Sequence, residues 1–368
     1  MKKLLYHEQL EGNYQVNKVN LSILGFGFMG RVYAYASKIL NNFYPDAPEV
    51  IVSSVLVSKS TDCNSISKRY GFPLVTSNIT DILDNKDIMG IYVATPNNFH
   101  FEHVEIFLKN QKHILCEKPM SVTLAQAEQM TQQLKNNSEI IGNMVFEYRF
   151  IPAISKIKNI IESGRIGKIL QFRALYLHGS YAEERPITWR LKEGTGGALV
   201  DLGPHVFDLI NYIIGPIAIS ESKLETKMPG RKVDDIAWVF CKTENDVDGC
   251  IEVSRLSTGS VDDLRLEIYG SEGSVRWSLE NLNFFEYFSK KSKYAGYQMI
   301  PSFVDEFDNS DFPPPKVSSG WMMAHVRCLY NFTKQIVDPN FEDIRTATFN
   351  DGLKVQRLIH KIKNDYQK

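Results

Sequence analysis

The sequence predicts an α/β fold in two parts, a doubly wound parallel sheet followed by an α+β domain with a mainly antiparallel sheet. Three observations carry this. Short apolar runs such as Val50 to Val57 lack the polar alternation of a one-sided strand, which suits a parallel sheet covered on both faces. A glycine loop, Gly25-Phe26-Gly27-Phe28-Met29-Gly30, follows the first such run and opens a helical stretch. Beyond Phe146 strands follow strands at short spacing, separated by turns such as Gly270-Ser271-Glu272-Gly273.

In chain order, residues 1–18 form a polar extension and residues 19–146 the first domain. Its strands are expected at Val19 to Leu24, Val50 to Val57, Ile88 to Ala94, His113 to Cys116 and Ile140 to Phe146. Helices fill the intervals, among them Phe99 to Asn110 and Thr123 to Leu134, and this alternation defines the doubly wound arrangement. The second domain, 147–368, begins with a helix at Pro152 to Ser163, a strand at Ile169 to Leu177 and a helix expected from Pro204 to Ile214. Strands are then expected at Ile236 to Lys242, Gly249 to Leu256, Arg265 to Tyr269, Ser274 to Leu279 and Phe284 to Phe288. A Pro-rich stretch, Phe312 to Pro315, reads as part of a long loop before two closing helices.

Two domains suit a chain of 368 residues. Lys and Arg number 42 against 43 Asp and Glu, so no net charge argues for a nucleic-acid or membrane surface, and a small molecule is the expected partner. The start carries no apolar run of the kind a secretory signal needs, and no stretch reaches membrane-span length. The five cysteines lack paired spacing and read as reduced thiols, so a cytoplasmic location is expected.

Four constellations carry chemistry. In the glycine loop, Gly25 permits the tight turn, Gly27 admits a pyrophosphate against the backbone, and Gly30 allows the helix to pack on the strand. At the end of the second strand, Ser58 and Lys59 stand where an acidic residue would bind the ribose hydroxyl of NAD. A hydroxyl and a cation suit a 2′-phosphate better, so the cofactor reading is NAD(P), leaning to NADP. Lys68 and Arg69 are further candidates for that phosphate, and a solvated surface role for Lys59 is the competing reading.

Next come Ala94-Thr95-Pro96-Asn97 with His100, and Glu117-Lys118-Pro119, both at the carboxyl edge of the first sheet, where ligands bind in such folds. A lysine there, desolvated and near positive charge, is a competent proton acceptor; taken alone, Glu117-Lys118 also reads as a surface ion pair. His100 and His103 have metal-like spacing without a third ligand, so they read as helix-surface histidines and no metal is expected. The last constellation runs from Gly196 to His205 and places Asp201 and His205 four residues apart. On a helix they share a face, and the carboxylate would raise and orient the imidazole for proton relay; helix capping is the equal alternative.

With these elements in this order, the chain resembles the GFO/IDH/MocA oxidoreductases from Val19 to its end. The resemblance implies a Rossmann domain and a second domain whose large open sheet forms homodimers or homotetramers. It implies a sugar-like or polyol substrate held around Lys118, Asp201 and His205, with a cis peptide before Pro119. Trp189, Arg190, Tyr148 and Tyr176 are candidate substrate contacts, with core packing the competing reading for the aromatics. One departure is Gln111, where relatives commonly have glycine, and no consequence is expected from it. Three functions are weighed. A dehydrogenase or reductase acting on a CH–OH group comes first. A non-catalytic NAD(P)-sensing regulator predicts loss of Lys118 or His205, and both are present. A transient-redox enzyme, glycosidase-like or epimerase-like, is excluded by no residue. Which of Lys118 and His205 is the base stays open.

Overall fold

The computed structural model describes residues 17–183, 186, 188–303 and 317–366; most of the expected N-terminal extension and the Pro-rich stretch Phe312 to Pro315 lie outside them. The first half alternates β1 (Lys18–Leu24), α1 (Phe28–Phe43), β2 (Glu49–Leu56), α2 (Cys63–Tyr70), β3 (Leu74–Thr76), α3 (Ile79–Leu83), β4 (Gly90–Val93), α4 (His100–Lys109), β5 (His113–Cys116), α5 (Leu124–Lys135) and β6 (Gly142–Met144). The six strands are parallel and run in the order β3-β2-β1-β4-β5-β6. The order reverses between β1 and β4, and such a switch point opens a crevice at the carboxyl ends of the strands.

Local chemistry sets the helix ends. Asp62 caps α2 by accepting from the Ser65 N–H at 3.2 Å, and Thr123 and Gln126 form a capping box on α5. Helix α4 closes with the Lys112 N–H on the Phe107 carbonyl and the Gln111 N–H on the Leu108 carbonyl. That turn puts Gln111 at φ +58°, the conformation for which glycine is favoured, so the departure has a visible backbone cost.

The second half carries α6 (Pro152–Glu162), β7 (Ile169–Leu177), α7 (Ala198–Ile213), β8 (Ile217–Glu225), β9 (Ile236–Thr243), β10 (Asp248–Ser254), β11 (Asp263–Gly270), β12 (Gly273–Ser278), β13 (Phe284–Ser289), β14 (Gln298–Pro301), α8 (Trp321–Val337) and α9 (Phe349–Tyr366). Its eight strands run β14-β13-β12-β11-β7-β10-β9-β8, antiparallel except for the β7–β10 pair. Strands β3, β8 and β14 were not among the sequence expectations. Helix α7 covers the inner face of this sheet and is buried along almost its whole length.

Helix α7 begins at Ala198, not at Pro204, which lies inside it. Its start is capped from elsewhere in the chain: the Leu199 N–H donates to the Asp234 carboxylate at 2.7 Å and the Ala198 N–H to the Asp234 carbonyl at 2.9 Å. Helix α8 packs back on the first half, where Val326, Leu329 and Phe332 join Val19, Leu21 and Tyr33 in one apolar cluster. A Cβ on Gly90 of β4 would come within 3.1 Å of the Phe332 ring, so that glycine makes room for the helix. Within the second half, Arg149 donates to both oxygens of Asp208 on α7 at 2.8 and 2.5 Å, which ties the turn after β6 to that helix.

Candidate active site

A crevice of about 1160 Å³ runs along the ends of β1, β2, β4 and β5 and continues beneath α7. At one end is the glycine loop. Gly25 has φ +94°, and a Cβ there would lie 2.7 Å from the Ala94 carbonyl oxygen; a Cβ on Gly30 would run into the Gly25 carbonyl. A Cβ on Gly27 would meet nothing within 4 Å, so the space beside it belongs to the crevice and not to packing. Gly27 begins α1 without a side-chain cap and no acid lies in the first turn, which leaves backbone N–H groups and the helix dipole for an anion. The residues therefore fit a dinucleotide pyrophosphate. Phe28 and Met29 line the same space.

Beyond β2, the Ser58 hydroxyl lies 3.1 Å from that of Ser60 and 2.8 Å from that of Thr61, and Ser58, Lys59 and Thr61 line the crevice. The next carboxylate in the sequence, Asp62, is engaged as the α2 cap. Lys68 and Arg69 sit in the last turn of α2 and are not part of the lining.

Ala94, Thr95, Pro96 and Asn97 form the next stretch of wall, and the Asn97 amide donates across to the Thr195 carbonyl at 2.8 Å. His100 and His103 are buried, not on the helix surface. The reason is the turn into α4, which brings both His100 nitrogens against backbone carbonyls, Pro119 at 2.9 Å and Thr95 at 2.8 Å. Burial pushes the His100 imidazole down to about 4, so the neutral ring donates to one of the two. His103 Nδ1 lies 3.1 Å from the Thr95 hydroxyl.

At the other end Glu117 and Lys118 leave β5, and the Lys118–Pro119 peptide is cis, as the resemblance implies. Neither residue is part of a surface ion pair. Glu117 is buried, accepts from the Tyr92 hydroxyl at 2.6 Å, and burial raises its carboxyl to about 7. Lys118 Nζ donates to the Asp201 carbonyl at 2.7 Å and to Asp201 Oδ1 at 3.2 Å. Asp201 also meets Arg190 Nε at 3.2 Å and pairs with the Arg255 guanidinium. Burial alone would raise the Asp201 carboxyl, but Lys118, Arg255 and Arg190 together hold it below the ordinary range.

The expected Asp201–His205 partnership does not form. Three cations claim the carboxylate, and burial, assisted by Lys118, drives the His205 imidazole well below its usual value, against the upward pull of Asp201. The carboxyl nearest His205 is Glu147, whose Oε2 lies 3.7 Å from Nδ1. The His205 ring meets Tyr148 and Tyr176 edge-on, with centroids 4.9 and 5.8 Å away. The Tyr148 and Tyr176 hydroxyls lie 2.9 Å apart, and Tyr176 donates to Asp262 at 2.7 Å. Arg190 stacks over the Trp189 ring at 4.3 Å. All four candidate substrate contacts line the crevice.

Sequence reasoning missed Glu147, His178, Arg255, Asp262, Trp321 and His325, which also line it. For two of these a signal existed: His178 and Arg255 directly follow the last residues of β7 and β10, a parallel pair whose ends share an edge. The others lie outside any motif. Among the described residues no group of three or more His, Cys, Asp or Glu side chains is placed to hold a metal, and no helix is long and apolar enough to cross a membrane.

Residues 19–144 match the oxidoreductase family with an NAD-binding Rossmann fold, and residues 154–276 match the GFO/IDH/MocA C-terminal domain. Levoglucosan dehydrogenase of Pseudarthrobacter phenanthrenivorans is 27% identical over 92% of this chain and 96% of its own. Glucose-6-phosphate 3-dehydrogenase of Bacillus subtilis is 25% identical over 92% of this chain and 94% of its own. The structure of a levoglucosan dehydrogenase in complex with NADH and L-sorbose superposes with a TM-score of 0.88 at 26% identity, covering 95% of this chain and 97% of that one.

Proposed function

The chain belongs to the GFO/IDH/MocA oxidoreductase family, and from that membership we propose an NAD(P)-dependent dehydrogenase or reductase that acts on a sugar, sugar derivative or polyol through Lys118, Asp201 and His205. One observation carries the reading. Lys118, from the glycine-loop sheet, is bound to Asp201 at 3.2 Å, and with His205 they line the same crevice as the glycine loop. The names of the levoglucosan and glucose-6-phosphate relatives support the substrate class.

When bound, the nicotinamide supplies the hydride acceptor or donor. The chain supplies position and a proton path. Asp201 holds Lys118 through its carbonyl and carboxylate, so the amine is fixed in the crevice. Lys118 and the neutral His205 bind the reacting oxygen between them. Trp189, Arg190, Tyr148 and Tyr176 enclose the remaining hydroxyls. The exposed Leu170, Phe240 and Met299 on the second sheet support a homodimer or homotetramer through that face.

At the adenosine end we read a preference for NADP. The hydroxyl group of three around Ser58 and the Lys59 ammonium are donors suited to a 2′-phosphate, and Asp62 is occupied as a cap. The NADH complex of the neighbour weighs the other way, so a titration decides. NADPH is expected to bind more tightly than NADH by fluorescence, and Ser58→Asp to weaken NADPH about tenfold or more, since one charge-assisted hydrogen bond contributes about 1.5–3 kcal/mol. Tighter NADH binding by the unaltered protein would sink the NADP reading. Gly27→Ala is expected to leave thermal stability unchanged, because its Cβ meets no protein atom within 4 Å, yet to weaken either cofactor about tenfold. Full affinity in that variant would remove the pyrophosphate from the loop.

A further inference from the structure

Beneath the proposed catalytic group lies a second set of side chains. Glu147 sits in the short turn after β6, His205 on α7 and His325 on α8, and all three are buried. Glu147 Oε2 is 3.7 Å from His205 Nδ1, and Glu147 Oε1 is 3.9 Å from His325 Nε2. Glu147 Oε2, His205 Nδ1 and both nitrogens of His325 have no hydrogen-bond partner and no access to solvent. Leaving a buried polar atom unpaired costs about as much as a lost hydrogen bond, so groups that face one another at this range pair by a small closure or through one water.

The charges around the cluster determine which group donates. Lys118, Arg190 and Arg255 all converge on Asp201, while the ion pairs of Glu147 are with histidines alone. A buried carboxylate without a cation is the less stable form of that group. Of the two His205 nitrogens only Nδ1 is sealed off, and the ring lines the crevice, so Nε2 is the nitrogen available to a ligand.

Building on the dehydrogenase reading, we propose that Glu147 is a positioning residue. Its protonated carboxyl donates to Nδ1 of His205, which fixes the Nε2–H tautomer and makes His205 a hydrogen-bond donor to the substrate oxygen, leaving Lys118 as the base. His325 completes the chain by donating from Nε2 to the other oxygen of Glu147. In the oxidation direction the substrate C–H and O–H bonds break and C=O forms. The C–H hydrogen leaves with its electron pair for the oxidised nicotinamide, and the hydroxyl proton goes to Nζ of Lys118 after the ammonium has released one proton to water in the crevice. Two directions agree with the geometry: burial, then Glu117, raise the Glu147 carboxyl to about 8, and burial lowers His325 to about 3. A row of donors aimed one way also strengthens each member.

The test is the tautomer of His205, read by nitrogen-15 NMR of the full chain labelled at histidine, with the signal assigned by its loss in His205→Asn. The unaltered protein at neutral pH is expected to show Nε2–H. Glu147→Gln retains a donor toward Nδ1, so it is expected to keep that tautomer and kcat within about threefold. Glu147→Leu is expected to mix the tautomers and lower kcat about 10- to 100-fold, with KM little changed. An Nδ1–H tautomer in the unaltered protein overturns the proposal, because Glu147 would then be the acceptor and His205 the base; an imidazolium overturns it too, because Glu147 would then accept from Nδ1 instead of donating to it. So does a Glu147→Gln loss as large as that of Glu147→Leu, or a Glu147→Leu variant with unchanged tautomer and rate. If Glu147→Leu does not fold, the unaltered protein and Glu147→Gln still decide. The tautomer is read without turnover, so absence of cofactor-dependent oxidation of any sugar or polyol would count against the dehydrogenase reading separately.

Discussion

Replacing Lys118 by Met is expected to lower kcat by about a thousandfold while cofactor binding stays within a few-fold. Removing a positioned proton-transfer group costs about 10²–10⁴ in rate, and Lys118 is the amine that Asp201 holds in the crevice. Methionine keeps the length and the apolar stem, so the change isolates the amine. The fold is expected to tolerate it, because Asp201 retains Arg190 and Arg255. Initial rates with a saturating polyol, together with a fluorescence titration of cofactor, separate the two effects. A variant within tenfold of the unaltered rate would move the proton transfer to another group.

Asp201→Asn is expected to lower the stability of the fold. The carboxylate compensates Lys118, Arg190 and Arg255, and a neutral amide leaves three cations facing one another in a buried site. Breaking a buried charge set from one side costs about 3–5 kcal/mol, read as a lower urea midpoint at unchanged slope. The sign with pH follows from the lowered Asp201 carboxyl. A group held below its unfolded value stabilises the fold above about pH 4 and loses that contribution as pH falls further. The acid limb of a stability profile is therefore expected to be shallower in Asp201→Asn. An unchanged midpoint would show that the cations are solvated well enough to stand alone.

The contrast between these residues explains what the sequence could convey. Gly25, Gly27 and Gly30 were legible because three backbone demands fall within six positions of one turn, and Lys118 because it follows a buried strand in a doubly wound sheet. Parallel strands such as β4 were legible from unbroken apolar runs. Strand β3 has three residues, and β8 carries Glu221, Ser222 and Lys223 in mid-strand, so neither gives an apolar signal. The start of α7 was misplaced because its cap, Asp234, is remote in sequence, while Pro204 imitated a first-turn proline.

The Asp201–His205 pairing failed for a related reason. Spacing on one helix is a local property, but the ion pairs of Asp201 come from β5, the segment before α7 and the end of β10. Glu147 and His325 gave no signal because neither stands in a motif or at a fixed spacing from the other, and only the packing of α8 and α7 around the turn after β6 brings them together.

The return of α8 to the first sheet has a consequence for synthesis. A nascent chain that has emerged only through residue 146 already holds every strand of that sheet, yet the surfaces of α1 and β1 destined for Val326, Leu329 and Phe332 are still bare. Gly90 at that stage is a notch awaiting the Phe332 ring. Domains often acquire their structure vectorially, N-terminus first, as the ribosome releases them. Here the nucleotide half cannot finish until α8 has been synthesised, so a protease or a holdase meets an unsealed apolar flank until then. Interrupted translation products of this chain are expected to be short-lived even when they contain the whole glycine-loop sheet.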